Sequence, residues 1–324
     1  MIKTSQKILN YIKNKGQASG NELADYLDIS SRAVRKQLSK LYEDNKIYKV
    51  GKPPKVFYLL KEPARREKRY HIDARVKKTI EDRYLIITPA GEVKKGMDGF
   101  VYWCHKNNLD IAKTASDYIK TLKKYDTFRQ EGLINGMEKM KSTFNNVYID
   151  GLYYLDFYSI ERFGKTKLGQ LLLYAKQSQN KELMKSLIQN IKPEINHIIK
   201  KYTIDGAGFI PPTVKREIQF MKELQKNLNL PLSVIKIVKV KTPVVVPQKT
   251  LSKLGDRIEN AKTSIIVDEH AVYKNILLID DAVGSGASMN ETAAQIKARG
   301  LCKNKIIGLS ITGSFKGFDI ISEV

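Results

Sequence analysis

Near the amino terminus, apolar residues recur at helical spacing in three short blocks separated by polar breaks. Ile8, Leu9 and Ile12 share one face of a helix from about Ser5 to Asn14, which Gly16 stops. "SGNELADYLDIS" predicts a second helix with Leu23, Ala24 and Leu27 inward. Ser30 or Ser31 then caps a third, "SRAVRKQLSKLYEDN", whose Val34, Leu38 and Leu41 hold one stripe. The pattern next shifts to strands, "KIYKV" and "KVFYLL", around the turn "GKPP". Further on, "RYLIITPAGEV" predicts a strand and turn. Asp110 to about Lys124 predicts a helix with Ile111, Ala115, Ile119 and Leu122 in register. The basic run "PARREKRYHIDARVKK", from Pro63, reads as a linker or an exposed helix. "FVYWCHK" reads as core and boundary rather than a ligand set. Late in the chain the apolar run Ile276–Ile279 ends in Asp280 and Asp281, followed by a small-residue loop and a helical segment.

Three helices, the second and third closely spaced, plus a hairpin resemble the winged helix-turn-helix of bacterial transcriptional regulators over about residues 1–62. Arg32, Arg35, Lys36 and Lys40 fall off the apolar stripe of the third helix. Lys52 and Lys55 flank the hairpin turn. These six are the expected DNA contacts. Residues 1–62 hold 13 Lys+Arg against 6 Asp+Glu, which suits such contacts. A winged helix used for protein contact has the same pattern.

Over all 324 residues the formal net charge is +23, from 57 basic and 34 acidic side chains. A polyanionic partner, nucleic acid first, fits that balance, as does lysine-rich composition alone. The two cysteines, Cys104 and Cys302, stand far apart and exclude a CxxC zinc ribbon or a disulfide framework. The amphipathic start "MIKTSQKILNYIKNKG" does not read as a signal peptide, and no apolar run approaches the roughly 20 residues of a membrane span. A soluble, cytoplasmic protein without membrane contact is expected.

A strand, a Gly-rich turn and a helix make a phosphate cradle: small residues admit backbone N–H groups to an anion, and the helix dipole adds to the attraction. A P-loop would need a Lys after the turn, and a dinucleotide fingerprint a third glycine; "GSGASM" has neither. Paired acids beside a pyrophosphate would repel it. They make sense if the ligand brings vicinal hydroxyls next to its phosphate, for carboxylates accept hydrogen bonds from a ribose, directly or through Mg²⁺. Asp280 and Asp281 are expected on an exposed strand end.

"ILLIDDAVGSGAS" closely resembles the binding signature of the type I phosphoribosyltransferases, with Ser288 where Thr is usual. Upstream, "VYIDGLYYLDFYS", "LGQLLLYAKQSQNKELMKSL", "GFIPPTVKREIQFMKELQKNLNLPL" and "PQKTLSKLGDRIENA" follow the order of the ComF-type members, over roughly residues 146–315. The family's zinc ribbon is replaced by the winged helix and middle region, and its Arg-Gly-rich segment after the Pro turn reads "KREIQFMKEL". The resemblance implies an α/β fold with a mostly parallel sheet over 146–324, beside a winged-helix domain at 1–62 and a basic middle region at 63–145.

It also implies phosphoribosyl pyrophosphate as ligand, with Mg²⁺. Asp280 and Asp281 would take the ribose and touch the metal only through the ligand. Ala282, Val283, Gly284, Ser285, Gly286, Ala287 and Ser288 would hold the 5′-phosphate. Pro211, Pro212 and Thr213 would border the pyrophosphate, with Lys215 and Arg216 near. Gln248, Lys249, Leu251, Arg257 and Asn260 would form a hood, with Asp280, Asp281 and Arg257 acting in catalysis. Three uses stay open: a pentosyl or glycosyl transferase brought to nucleic acid, a ligand-sensing transcriptional regulator, or the effector of a retron-type anti-phage module. The last would bind non-coding RNA or a reverse transcriptase. A homo-oligomer fits any of them.

Overall fold

The computed structural model describes residues 3–61, 71–212, 214, 216–240 and 243–315. Of the basic run 63–78, residues 63–70 lie outside the described residues, as do Thr213 and Lys215, while its last part enters a helix. The chain divides into two compact units, residues 1–70 and 71–324.

In the first unit, α1 (Thr4–Lys15) ends at Gly16, whose φ of +81° few other residues would adopt. A short strand, β1 (Ala18–Ser19), follows. Ser19 then opens α2 (Gly20–Leu27): its hydroxyl accepts the Glu22 N–H (3.2 Å) while its own N–H donates to the Glu22 carboxylate (2.6 Å). Ser30 caps α3 (Ser31–Glu43), its hydroxyl accepting the Ala33 N–H at 3.3 Å. Val34, Leu38 and Leu41 meet Ile8, Ile12, Leu23 and Ile47 in one core, and Leu9 and Leu27 close its rim. β2 (Ile47–Lys52) and β3 (Lys55–Leu60) pair antiparallel with Lys52 opposite Lys55, and β1 pairs with the far side of β3. The result is a winged helix.

The second unit starts with α4 (Ala74–Arg83), the hairpin β4 (Leu85–Ile87) and β5 (Val93–Lys95), α5 (Gly96–Lys106) and α6 (Ile111–Asp126). Tyr84, Phe100, Trp103 and Tyr118 pack their rings together with Phe163. In α6 the inward stripe takes Tyr118 where the spacing gave Ile119, which is half-buried. Next come β6 (Arg129–Gln130), β7 (Leu133–Asn135), α7 (Met137–Thr143) and β8 (Gly151–Phe157). The small pair β9 (Ser159–Ile160) and β10 (Gly164–Lys165) leads into α8 (Lys167–Ser178) and α9 (Lys181–Lys201). β11 (Gly206–Phe209), α10 (Phe220–Leu228) and β12 (Ser233–Ile235) follow. β13 (Ile237–Lys239), α11 (Leu254–Ser264) and β14 (Ile265–Val267) form a small antiparallel pair with a helix between. The chain closes with β15 (Tyr273–Val283), α12 (Ala287–Ala298) and β16 (Cys302–Gly313).

One seven-stranded sheet organises this unit in the order β12-β11-β15-β16-β8-β7-β6. The pairs from β12 to β8 are parallel, and β7 and β6 add an antiparallel edge. Residues before 146 thus contribute strands to the same sheet. Its centre is apolar on both faces, as buried parallel strands require: Ile276 to Ile279 are each at most 1% exposed. Leu277, Ile279, Ile307 and Leu309 join the core beneath α8, α9 and α10. Gly308 faces the other way, where a Cβ would strike Met289 of α12. From β11 the chain runs through α10 to one edge; from β15 it runs through α12 toward the other. Between the carboxyl ends of β11 and β15 the connections diverge, which is where open α/β sheets form their ligand crevice.

Candidate functional site

At that switch point lies a cavity of about 160 Å³. Ile210, Pro211 and Pro212 enter it from the end of β11, Asp280 to Ala282 from β15, and Gly284 and Ser288 from the loop into α12. Pro247, Gln248 and Arg257 enter from the hood segment. Phe220 and Met221 give it an apolar wall.

The acids are not on an exposed strand end. Asp281 is 9% exposed and Asp280 half-buried, because β15 runs on to Val283 and both carboxylates turn into the cavity. Lys176 of α8 reaches Asp281, Nζ to Oδ2 at 2.6 Å. Asp280 accepts the Asp281 backbone N–H at 2.8 Å. Burial first, and then the Asp281 charge, push the Asp280 carboxyl up to about 8 against the opposing pull of the Asp281 N–H and Lys176.

Cations offset the acids. Besides Lys176 the wall holds Arg216 and Arg257. The Arg216 guanidinium donates to the Lys176 carbonyl and to Gln177 Oε1 (3.0 Å), tying the segment after β11 to the end of α8. The Ile218 N–H donates to Gln179 Oε1 at 2.6 Å and strengthens that tie. Arg257 is 5% exposed; its Nε donates to the Leu251 carbonyl (2.8 Å), and burial lowers its pKa. The crevice therefore carries three cations beside two acids, one of which has its carboxyl held well above the usual carboxylate range. The repulsion that paired carboxylates would give an anion is cancelled locally.

The loop turns sharply between β15 and the N-terminus of α12, and Gly284 and Ser288 line the cavity. Gly286, φ +86°, turns the chain into α12, and a Cβ there would lie 2.5 Å from Met140 Sδ. Ser285 is buried and its hydroxyl accepts the Ala287 N–H at 3.3 Å. No acid occupies the first turn of α12, so its dipole faces the cavity unopposed by its own side chains. Val283 and Ala287 are buried behind the loop.

Of the expected site residues, the structure brings together Pro211, Pro212, Arg216, Gln248, Arg257, Asp280, Asp281, Ala282, Gly284 and Ser288. Thr213 and Lys215 lie outside the described residues, as does the side chain of Lys249. Asn260, Leu251 and Gln248 brace the hood from within: the Asn260 amide donates to the Val246 carbonyl (3.3 Å), the Leu251 carbonyl accepts Arg257 Nε, and the Gln248 amide donates to the Arg257 carbonyl (2.9 Å). Sequence reasoning missed Lys176, and a signal was there. It sits one turn after the buried Leu172, a charge on the inward face of an apolar helix.

In the winged helix, Arg32, Arg35, Lys36 and Lys40 are all exposed on the outer face of α3. Lys52 and Lys55 are exposed opposite each other at the hairpin end.

Residues 4–53 match a family model described as an HTH domain, which spans α1 to the hairpin turn. No curated protein matches the chain. Among solved structures it is similar to a hypoxanthine phosphoribosyltransferase from Staphylococcus aureus, at 18% identity and a TM-score of 0.23. That similarity covers 42% of this chain and 80% of the other. At such a score the site has to be read from its own geometry. The protein thus combines an N-terminal HTH domain with an α/β unit built on a large, mostly parallel sheet. Among the described residues no helix is long and apolar enough to cross a membrane.

Proposed function

We propose that the α/β unit binds phosphoribosyl pyrophosphate or a closely related phosphoribosyl ligand, in the manner of the ComF-type phosphoribosyltransferases, and that the winged helix binds DNA. One observation carries the first half. An acid pair, an anion loop at a helix N-terminus and three cations converge on the switch-point crevice of a parallel sheet. The ribose hydroxyls would donate to Asp280 and Asp281. The 5′-phosphate would take the loop 284–288, and the pyrophosphate would lie toward Pro211, Pro212, Arg216 and Arg257.

The donor set suits Mg²⁺ carried by the ligand's own phosphates. Asp281 already holds Lys176, and no three potential metal ligands gather among the described residues. Bound there, Mg²⁺ would add positive charge beside the pyrophosphate. In a transfer reaction the bond from ribose C1 to the pyrophosphate oxygen breaks, its electron pair leaving with the pyrophosphate. An acceptor lone pair then closes on C1, and the acceptor's proton passes to the released pyrophosphate or to solvent. Arg216 and Arg257 would stabilise the departing charge.

A ligand-sensing regulator is a second reading, favoured by one feature. Arg216 and Arg257 are both anchored on backbone carbonyls, which suits holding a ligand better than following a charge as it develops. Calorimetry should show phosphoribosyl pyrophosphate binding more tightly than ribose 5-phosphate or pyrophosphate alone, and only with Mg²⁺. Equal binding of all three would reduce the crevice to an unselective anion trap. Release of pyrophosphate with an acceptor then marks the enzyme; ligand-dependent DNA affinity without release marks the sensor.

A further inference from the structure

We infer that the amino-terminal edge of the parallel sheet is a second nucleic-acid surface, one for single-stranded chains. It lies at the opposite end of β15 from the acid pair and rests neither on the ligand proposed for the crevice nor on the winged helix.

A shallow depression of about 470 Å³ opens there, lined by Lys201, Tyr202, Thr203, Asn275, Asn304 and Lys305. Every lining side chain can donate a hydrogen bond, and none is a carboxylate. Lys201 Nζ and Lys305 Nζ stand 5.9 and 6.0 Å from the centroid of the Tyr202 ring, and the Tyr202 hydroxyl is bonded to that of Tyr153, which fixes the ring. Lys274 and Lys303 are exposed at the starts of the same two strands.

The acids of this edge are turned to structural work. Asp205 accepts the backbone N–H groups of Lys274 and Asn275, both at 2.9 Å. Asp150 accepts the Ile306 N–H (2.8 Å) and pairs with Lys297 (3.1 Å). Glu131 pairs with Lys201 at 2.6 Å. Among the described residues, Lys274, Lys303 and Lys305 are left without a carboxylate at ion-pair distance. The field at this edge is positive and unspent.

The mixture selects the partner. Ammonium groups suit phosphates; a fixed ring with amide and hydroxyl neighbours suits a base that has left its stack. A duplex keeps its bases stacked and would use only the lysines. An acidic polypeptide would leave the ring and amides idle.

The test uses the full chain carrying Arg32→Ala, Arg35→Ala, Lys36→Ala and Lys40→Ala, so that the winged-helix surface is silent. Binding of a labelled single-stranded oligonucleotide is followed by anisotropy across a salt series. Adding Lys274→Gln, Lys303→Gln and Lys305→Gln, all at exposed positions, should lower the log–log salt slope by about 2, at roughly 0.7 per lost phosphate contact. It should also weaken binding about tenfold or more at moderate salt. An unchanged slope overturns the proposal. So does equal affinity for a duplex of the same length, or displacement of the oligonucleotide by polyglutamate at equal charge concentration.

Discussion

Asp280 and Lys176 set the character of the crevice one side chain at a time. With its carboxyl pushed up to about 8, Asp280 holds its proton far more firmly in the folded chain than in the unfolded one. Its contribution to stability is therefore complete below pH 4 or so and is lost as pH rises through 8. Asp280→Asn removes that liability. Urea melts should show the variant no more stable than the parent near pH 4 and about 1–2 kcal/mol more stable at pH 8.5. A gap that does not change with pH would contradict the assignment. Lys176 has the opposite sign. Lys176→Met leaves the buried Asp281 carboxylate without its 2.6 Å partner and should cost about 3 kcal/mol at pH 7. Because the loss comes from the orphaned charge, adding Asp281→Asn should recover much of it. If the double variant is as weak as the sum of the singles, the two side chains act independently.

The elements show what the sequence could and could not disclose. Periodicity revealed the winged helix because its helices are amphipathic and end at local signals such as Gly16, Ser30 and the Ser19–Glu22 box. It missed β1, since two residues have no period and that strand exists only by pairing with β3. The strand–acid–acid–loop–helix order was legible because it is local. The sheet order was not, for it depends on pairings between distant strands such as β8 and β16. Nor was the role of α7, read only as part of a basic middle region. Its Met140 is wholly buried and lies where a Cβ on Gly286 would point. Gly286→Ala should thus cost about 2 kcal/mol, from a left-handed φ and a clash with Met140 together, and weaken ligand binding. Trimming Met140 to Ala in that background should relieve the clash alone. No improvement in the melting temperature would mean that α7 does not support the loop.

At the scale of the whole molecule, an HTH head and an α/β crevice share one strongly basic chain. The head owes its stability to the stripe Val34, Leu38 and Leu41, and its proposed DNA contacts to the opposite face of the same helix. Arg32→Ala, Arg35→Ala, Lys36→Ala and Lys40→Ala should therefore leave the melting temperature nearly unchanged. Duplex binding should weaken and lose about 0.9 of log–log salt slope for each phosphate contact removed. An unchanged slope would assign the winged helix to protein contact. The central claim concerns the crevice, and titration calorimetry tests it most directly. The intact chain should bind phosphoribosyl pyrophosphate in the presence of Mg²⁺. A variant carrying Asp280→Asn and Asp281→Asn, shown by circular dichroism to be folded, should give no measurable heat. Equal affinity in the two proteins would contradict the account.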